Sequence, residues 1–398
     1  MRTVPIECIP DGSVLGKTLY SNKGSTLLTA GTILNSNILK KLHNYNIFYL
    51  SIIDDYSKNE IEDIIKPELR EKTILTLKET FSYIYSINDN EPINRKVYKK
   101  NSTYFNKIKA LAEDILNNIL DNDNILVNLI DIKNLDNFTY QHSVNVAVLS
   151  IVLGIALDLD KDSLIRLSIG AILHDIGKIF IPKEILNKND SLTDDEYAII
   201  KKHPKLGYDY LKNHFNLDNE TLSIILEHHE RIDGSGYPQQ LSGDKIHLLS
   251  RIVSIADVYD ALTSDRSYKR AFSASDSLEF IMANSNSMFD YKLVSIFSRL
   301  VIPFPFGTIV CLSNGDIGIV QDTPTNFPLR PNVKIIESSN RNNTGSSISL
   351  VKELSLVISE VKTDYVLKSL QANAVLLFIT ISFLLFRGVL SIMYSASL

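Results

Sequence analysis

The chain has 398 residues, more than one compact core holds and enough for two or three domains. A hydrophobic share of 44% excludes a disordered chain, and a formal net charge of -5 argues against a protein that grips nucleic acid by broad phosphate neutralisation. An anionic ligand would instead have to meet a local basic cluster. The two cysteines, Cys8 and Cys311, read as separate reduced thiols of a cytosolic protein. The opening eleven residues lack a basic stretch followed by an apolar run, and Pro5 and Pro10 interrupt them, so no signal peptide is read there.

Residues 1–53 read as a small β-rich module. Segments 14–20 and 25–28 flank a turn at Asn22-Lys23-Gly24, a second turn follows at Gly31, and a helix over 35–43 and a strand over 47–53 close it. Residues 54–103 are polar and helical in parts and predict a linker, with few apolar positions over 86–100. From 104 to 302 the pattern is helical. Val146, Leu149, Leu153 and Ala156 share one face of a helix over 139–157, with His142 on that face one turn before Val146. A second helix over 162–176 is expected to stop at Gly177, and a third spans 249–263. Asn314-Gly315, between alternating segments 308–312 and 317–321, predicts a hairpin, and a strand over 333–336 completes a small β module over 303–362. The remainder, 363–398, is apolar over 374–394 but interrupted by Arg387, and reads as a membrane anchor or as a surface or packed helix. The expected fold is mainly α, a helical bundle with small β-rich modules before and after it.

Five of the eight histidines, His142, His174, His203, His228 and His229, fall within the helical region among acidic neighbours. A lone histidine on a helix usually serves packing, whereas the adjacent pairs His174-Asp175 and His228-His229 point to ligation. Imidazole with carboxylate, and no cysteine nearby, suits iron, manganese or a similar metal rather than a structural zinc site. Asp257 adds a carboxylate inside the apolar run 252–258, where an unpaired charge is costly to bury.

These residues carry a resemblance. His174-Asp175-Ile176-Gly177-Lys178, then His203-Pro204, then His228-His229-Glu230-Arg231-Ile232-Asp233-Gly234-Ser235-Gly236-Tyr237-Pro238 resemble the HD-GYP subfamily of HD phosphohydrolases. The run Arg251-Ile252 through Ala256-Asp257-Val258-Tyr259-Asp260-Ala261-Leu262 to Asp265-Arg266 extends it. The resemblance covers 104–302 and implies an HD-type helical bundle around a dinuclear centre. His142, His174, Asp175 and Asp257 would hold one metal, and Asp175 would bridge to a second held by His203, His228 and His229. Two divalent ions, iron or manganese, roughly 3.5–4 Å apart could share a hydroxide that attacks a phosphodiester in line. The implied activity is hydrolysis of cyclic di-GMP to pGpG, with slow onward hydrolysis to GMP, in bacterial second-messenger signalling.

Asp175 and Lys178 are the implied catalytic residues, with the Lys178 ammonium on the scissile phosphate. Arg266 and Lys269 resemble the family's substrate-contacting basic pair and supply the local basic cluster that the overall charge demands; with Lys178 and Asp260, one helical turn after Asp257, they are the implied substrate-binding residues. The planar fork of Arg266 suits guanine or bidentate phosphate contact. The loop over 234–238 is expected to wall the pocket, with Tyr237 packing there, and is the surface implied for signalling proteins. Some members place a glutamate four residues before the first histidine to support a third metal; here Phe138 stands there, which implies two metals. A cytoplasmic homodimer is the expected setting, with membrane association through the tail as an alternative. An HD hydrolase of another cyclic dinucleotide and a non-catalytic adaptor remain alternative readings.

Overall fold

The computed structural model describes residues 2–20, 26–45, 47, 49–53, 64–86, 95–121, 138–188, 190–264, 272–340 and 343–362. Strands β1 (Arg2–Pro5), β2 (Val14–Leu15), β3 (Leu19–Tyr20), β4 (Thr26–Leu28) and β5 (Tyr49–Ile53) open the chain, with β5 between β1 and β2, and β3 paired with β4. Helix α1 (Ser36–Asn44) starts where the Asn35 side chain accepts hydrogen bonds from the amides of Asn37 and Ile38. Leu15, Leu34, Leu42, Leu50 and Ile52 make this module a core of its own. The turn expected at 22–24 lies outside the described residues.

The polar stretch expected to be a linker contributes two helices to the bundle. Helix α2 (Pro67–Ser86) buries Ile74, Leu77, Phe81 and Ile84, and α3 (Arg95–Leu120) buries Ile108, Ala112, Ile115 and Ile119, all in the main core. Their apolar residues form one narrow helical stripe among many polar ones, so composition alone hides them.

Helix α4 (Phe138–Ala156) is apolar on nearly every side and lies at the centre, with Val144, Val146, Ala147 and Ile151 fully buried. Among the described residues its segment Thr139–Ala156 is long and apolar enough to cross a membrane, but 72% of it is buried inside the bundle. Its composition reflects a core position. The tail over 363–398 lies outside the described residues.

Helix α5 (Lys161–Leu173) is capped by Asp160, which accepts from the Ser163 amide at 2.9 Å. It ends three residues before the expected limit, and Ile176–Phe180 forms a 3-10 turn instead. Gly177 is therefore not a helix stop. A Cβ there would lie 1.9 Å from the His203 carbonyl oxygen and 2.7 Å from the Gly207 amide nitrogen. The glycine is needed because two backbones touch.

Among the described residues seven α-helices follow: α6 (Lys183–Leu186), α7 (Asp194–Ile200), α8 (His203–His214), α9 (Asn219–Glu227), α10 (Leu248–Thr263), α11 (Ala274–Ala283) and α12 (Tyr291–Leu300). Helices α5 and α10 flank α4, and α8 packs on the 3-10 turn and on α9. Strands β6 (Ile309–Leu312), β7 (Ile317–Asp322), β8 (Asn332–Glu337), β9 (Ser347–Ser349) and β10 (Ile358–Val361) then form an antiparallel sheet in the order β10-β6-β7-β8-β9. The hairpin at Asn314-Gly315 joins β6 to β7 as expected. A helical bundle between two small β-rich modules is the fold class that the sequence predicts.

Candidate metal centre

Helix ends deliver most of the expected ligands to one point. His174 and His228 cap the C-termini of α5 and α9, His203 opens α8, and Asp175 and His229 follow the caps directly. His142 and Asp257 arrive from the facing sides of α4 and α10. Three imidazoles are fixed in the same way. Nδ1 of His174, His203 and His228 lies 2.7, 2.8 and 3.0 Å from the carbonyl oxygens of Ala171, Ile200 and Ile225, each three residues back. Those carbonyls can only accept, so each Nδ1 carries the proton and each Nε2 turns a lone pair to the centre.

The consequence is a cluster short of a cation. His203 Nε2 and His228 Nε2 face each other at 3.3 Å, with lone pairs on both. His174 Nε2 and Asp175 Oδ1 are buried with no hydrogen-bond partner among the described residues. Asp175, Asp257 and Asp260 are three buried carboxylates, against the half-buried ammonium of Lys178 and the one imidazole, His142, that they hold in its charged form. Such groups are rarely left unsatisfied in a protein interior, and a divalent ion ligated by imidazole and carboxylate satisfies them together.

Two groups are set for ligation. The ligand atoms of Asp175, His203, His228 and His229 all lie within 4.8 Å of one another, as do those of His142, His174 and Asp257. Asp175 faces both: Oδ1 is 3.3 Å from His203 Nε2 and 4.0 Å from His228 Nε2, while Oδ2 is 3.4 Å from His174 Nε2 and 3.9 Å from His142 Nε2. Asp257 also divides its oxygens, with Oδ1 3.0 Å from His142 Nε2 and Oδ2 3.7 Å from His229 Nδ1. All seven expected metal ligands therefore converge.

Ionisation follows from this packing. Burial works against a charged Asp175, but the Lys178 ammonium at 2.5 Å outweighs it and holds the carboxyl well below its usual range. Asp257 is likewise held low against its burial, chiefly by the hydrogen bond from His142. Burial alone would lower His142, yet its contacts with Asp257 and Asp260 push it up to about 9. Burial, with neighbouring imidazoles, keeps His228 neutral well below its ordinary value and brings His229 down to about 3.

Residues 124–293 match the family described as HD domain, and residues 309–370 match a KOW domain associated with HD domain. The chain carries an HD domain. A cyclic di-GMP phosphodiesterase of Pseudomonas aeruginosa is 37% identical over 229 residues, which cover 58% of this chain and 55% of that protein. Another cyclic di-GMP phosphodiesterase, of Borreliella burgdorferi, is 32% identical over 200 residues, covering 50% of this chain and 52% of that protein. A 3'3'-cGAMP-specific phosphodiesterase of Vibrio cholerae is 37% identical over 179 residues, covering 44% of this chain and 39% of that protein. The chain spans about half the length, or less, of these curated relatives.

Within the HD domain the expected substrate contacts separate. Lys178 lies at the cluster, its side chain 32% exposed. Asp260 does not face an open pocket. It is fully buried, with Oδ2 2.7 Å from His142 Nδ1 and Oδ1 accepting from Asn145 Nδ2 at 2.8 Å. The expectation that it contacts substrate is corrected: its carboxylate is taken up by His142 and Asn145. Its position three residues after Asp257 on the same helix face is what brings it to His142. Arg266 and Lys269 lie outside the described residues, as does the side chain of Phe138.

The loop over 234–238 folds back on the ligand histidines. A Cβ on Gly236 would come within 2.4 Å of the Arg231 nitrogen and 2.6 Å of the His229 carbonyl oxygen. Buried Glu230 accepts from the amides of Gln239 and Leu241 at 2.6 and 3.0 Å and so clamps the loop. Tyr237 packs its ring 4.8 Å from that of His229, in keeping with the expected packing role. Two polar residues behind His142 were missed by sequence reasoning: Asn145, which donates to Asp260, and Arg70, whose Nη1 donates to Asn145 Oδ1 at 2.5 Å. Asn145 had a signal, since it follows His142 by three positions on a largely apolar helix; Arg70 had none.

Proposed function

We propose that this protein is a metal-dependent phosphodiesterase that opens cyclic di-GMP to linear pGpG, with slow onward hydrolysis to GMP. The observation that carries the chemistry is the placement of Asp175, whose two oxygens face two separate groups of ligand atoms. The substrate rests on the resemblance of the His174, His203, His228 and Asp257 motifs and on relatives that are themselves cyclic di-GMP phosphodiesterases. Two divalent ions, iron or manganese, would be held by His142, His174, Asp175 and Asp257 on one side and by Asp175, His203, His228 and His229 on the other. Bound there, they would activate water at neutral pH and draw charge from the phosphate.

The chain's own residues do the rest. Asp175 stays ionised and keeps the two ligand groups in one frame. Lys178 Nζ, now on Asp175 Oδ2, is placed to turn toward a phosphate and offset the charge that builds on it. His229, the most open of the ligand histidines, marks the side from which the phosphate enters, with Tyr237 as a wall beside it. The reaction adds one water: its oxygen joins phosphorus, the P–O3′ bond breaks, and the freed 3′ oxygen takes a proton. One cleavage leaves pGpG.

Incubating the metal-loaded protein separately with cyclic di-GMP and 3'3'-cGAMP, and following products by chromatography, tests the reading. Accumulation of pGpG from cyclic di-GMP supports it. Faster turnover of 3'3'-cGAMP would move the assignment to the other cyclic dinucleotide, and no turnover of either would leave a binding role.

A further inference from the structure

A chain of hydrogen bonds leads out of the metal cluster and ends on a residue that lies before the HD domain. From His142 Nδ1 it passes to Asp260 Oδ2 at 2.7 Å, from Asp260 Oδ1 to Asn145 Nδ2 at 2.8 Å, and from Asn145 Oδ1 to Arg70 Nη1 at 2.5 Å. Arg70 belongs to the first turn of α2, more than fifty positions ahead of residue 124, where the HD domain match begins. Asn145 and Asp260 are both buried.

Each link fixes the next. A buried carboxylate accepts only, so the amide of Asn145 must turn its NH2 end to Asp260. That leaves the amide oxygen inside the protein, where it needs a donor, and Arg70 provides a charged one. With Asn145 held from both sides, Asp260 is held too, and its other oxygen sets the ring plane of His142. The ring then points Nε2 at Asp257 and Asp175. Helix α2 is itself seated firmly. Phe81 meets Tyr140 of α4 edge to face at 5.6 Å, and the Lys66 amide just before α2 donates to Asn118 Oδ1 of α3 at 2.8 Å.

We infer that Arg70 is a positioning residue for the metal centre, acting through Asn145 and Asp260 on His142, so that the seat of α2 sets how tightly the His142–His174–Asp257 group holds its ion. This rests on the reading of the cluster as a metal centre, but not on which dinucleotide is the substrate. The arrangement also makes the segment ahead of the HD domain part of the site: a shift at the start of α2 reaches the metal through three hydrogen bonds.

The test uses full-length protein stripped with chelator and titrated with Mn2+ against a competing chelator, without substrate. Arg70→Met keeps the aliphatic stem and removes the donor and charge. It is expected to weaken one class of Mn2+ site about tenfold, the low end for loss of an outer-shell partner. Arg70→Lys should restore most of that affinity. Asn145→Ala should weaken the same site, and adding Arg70→Met to it should cost nothing more, because the connection is already broken. Lys72→Met, two residues on and paired with Asp114 at the surface, controls for loss of positive charge on the helix and should bind like wild type. Circular dichroism establishes that each variant keeps its helices. Wild-type Mn2+ affinity in Arg70→Met would overturn the inference, as would losses from Arg70→Met and Asn145→Ala that simply add, or a Lys72→Met loss equal to that of Arg70→Met.

Discussion

Gly177 and His203 touch backbone to backbone: a Cβ on the glycine would stand 1.9 Å from the histidine's carbonyl oxygen. The contact joins the turn that follows Asp175 to the start of α8, and so fixes Asp175 Oδ1 at 3.3 Å from His203 Nε2.

Gly177→Ala should therefore act on the metal centre as well as on stability. Neither partner is a flexible side-chain end, so the turn and α8 must move apart. A loss of about 3 kcal/mol in unfolding free energy is expected, the upper end of ordinary overpacking. Elemental analysis should show reduced occupancy even in the fraction that folds. Normal melting and normal metal content would mean that the two backbones separate at little cost.

The charged state of His142 makes a pH prediction for chelator-treated protein. Its folded value, about 9, lies above the ordinary 6.5 or so of a free imidazole. A group raised in this way adds stability that is fully present below about pH 6.5 and is lost as pH rises through about 9. Metal-free protein should then melt lower at pH 9.5 than at pH 6.5, by on the order of 5 °C. Asp260→Asn removes one partner and should shrink the difference. An equal drop in wild type and variant would assign the effect to other groups.

Arg266→Ala and Lys269→Ala should separate recognition from ligation. Each is expected to raise KM for cyclic di-GMP about tenfold, the worth of one charge-assisted hydrogen bond, with metal content unchanged. A generic small phosphodiester should be cleaved almost as well as by wild type. Equal losses on both substrates would make the pair structural.

Much of the site was legible because its residue types are costly anywhere else. Asp257 in the apolar run 252–258, and the adjacent pairs His174-Asp175 and His228-His229, are hard to bury without a cation, and all of them meet in the centre. What failed was what depends on tertiary contact. Gly177 reads in sequence as a helix stop, yet the helix ends at Leu173 and the glycine answers to a backbone far along the chain. Asp260 reads as a substrate contact, yet it faces inward to His142. The stretch over 54–103 reads as a linker that is helical in parts, and its place in the bundle was hidden because one apolar stripe suffices when a large core receives it. Arg70 shows the same limit, since no local pattern marks a partner 75 residues away.

If Asp175 joins two metal sites, counting metals in wild type and in an Asp175 variant will reveal it. Phe138, four residues before His142, offers no acid for a third ion. Anaerobically purified wild type, assayed by elemental analysis, should carry two ions per chain. Asp175→Asn removes the charge that both ligand groups share while keeping the shape of the side chain. It should lose most of both ions and nearly all turnover, with its circular dichroism unchanged. Two ions per chain in wild type and fewer than one in the variant is the predicted result. A single ion in wild type, or two ions retained by Asp175→Asn, would mean that Asp175 does not join two metal sites.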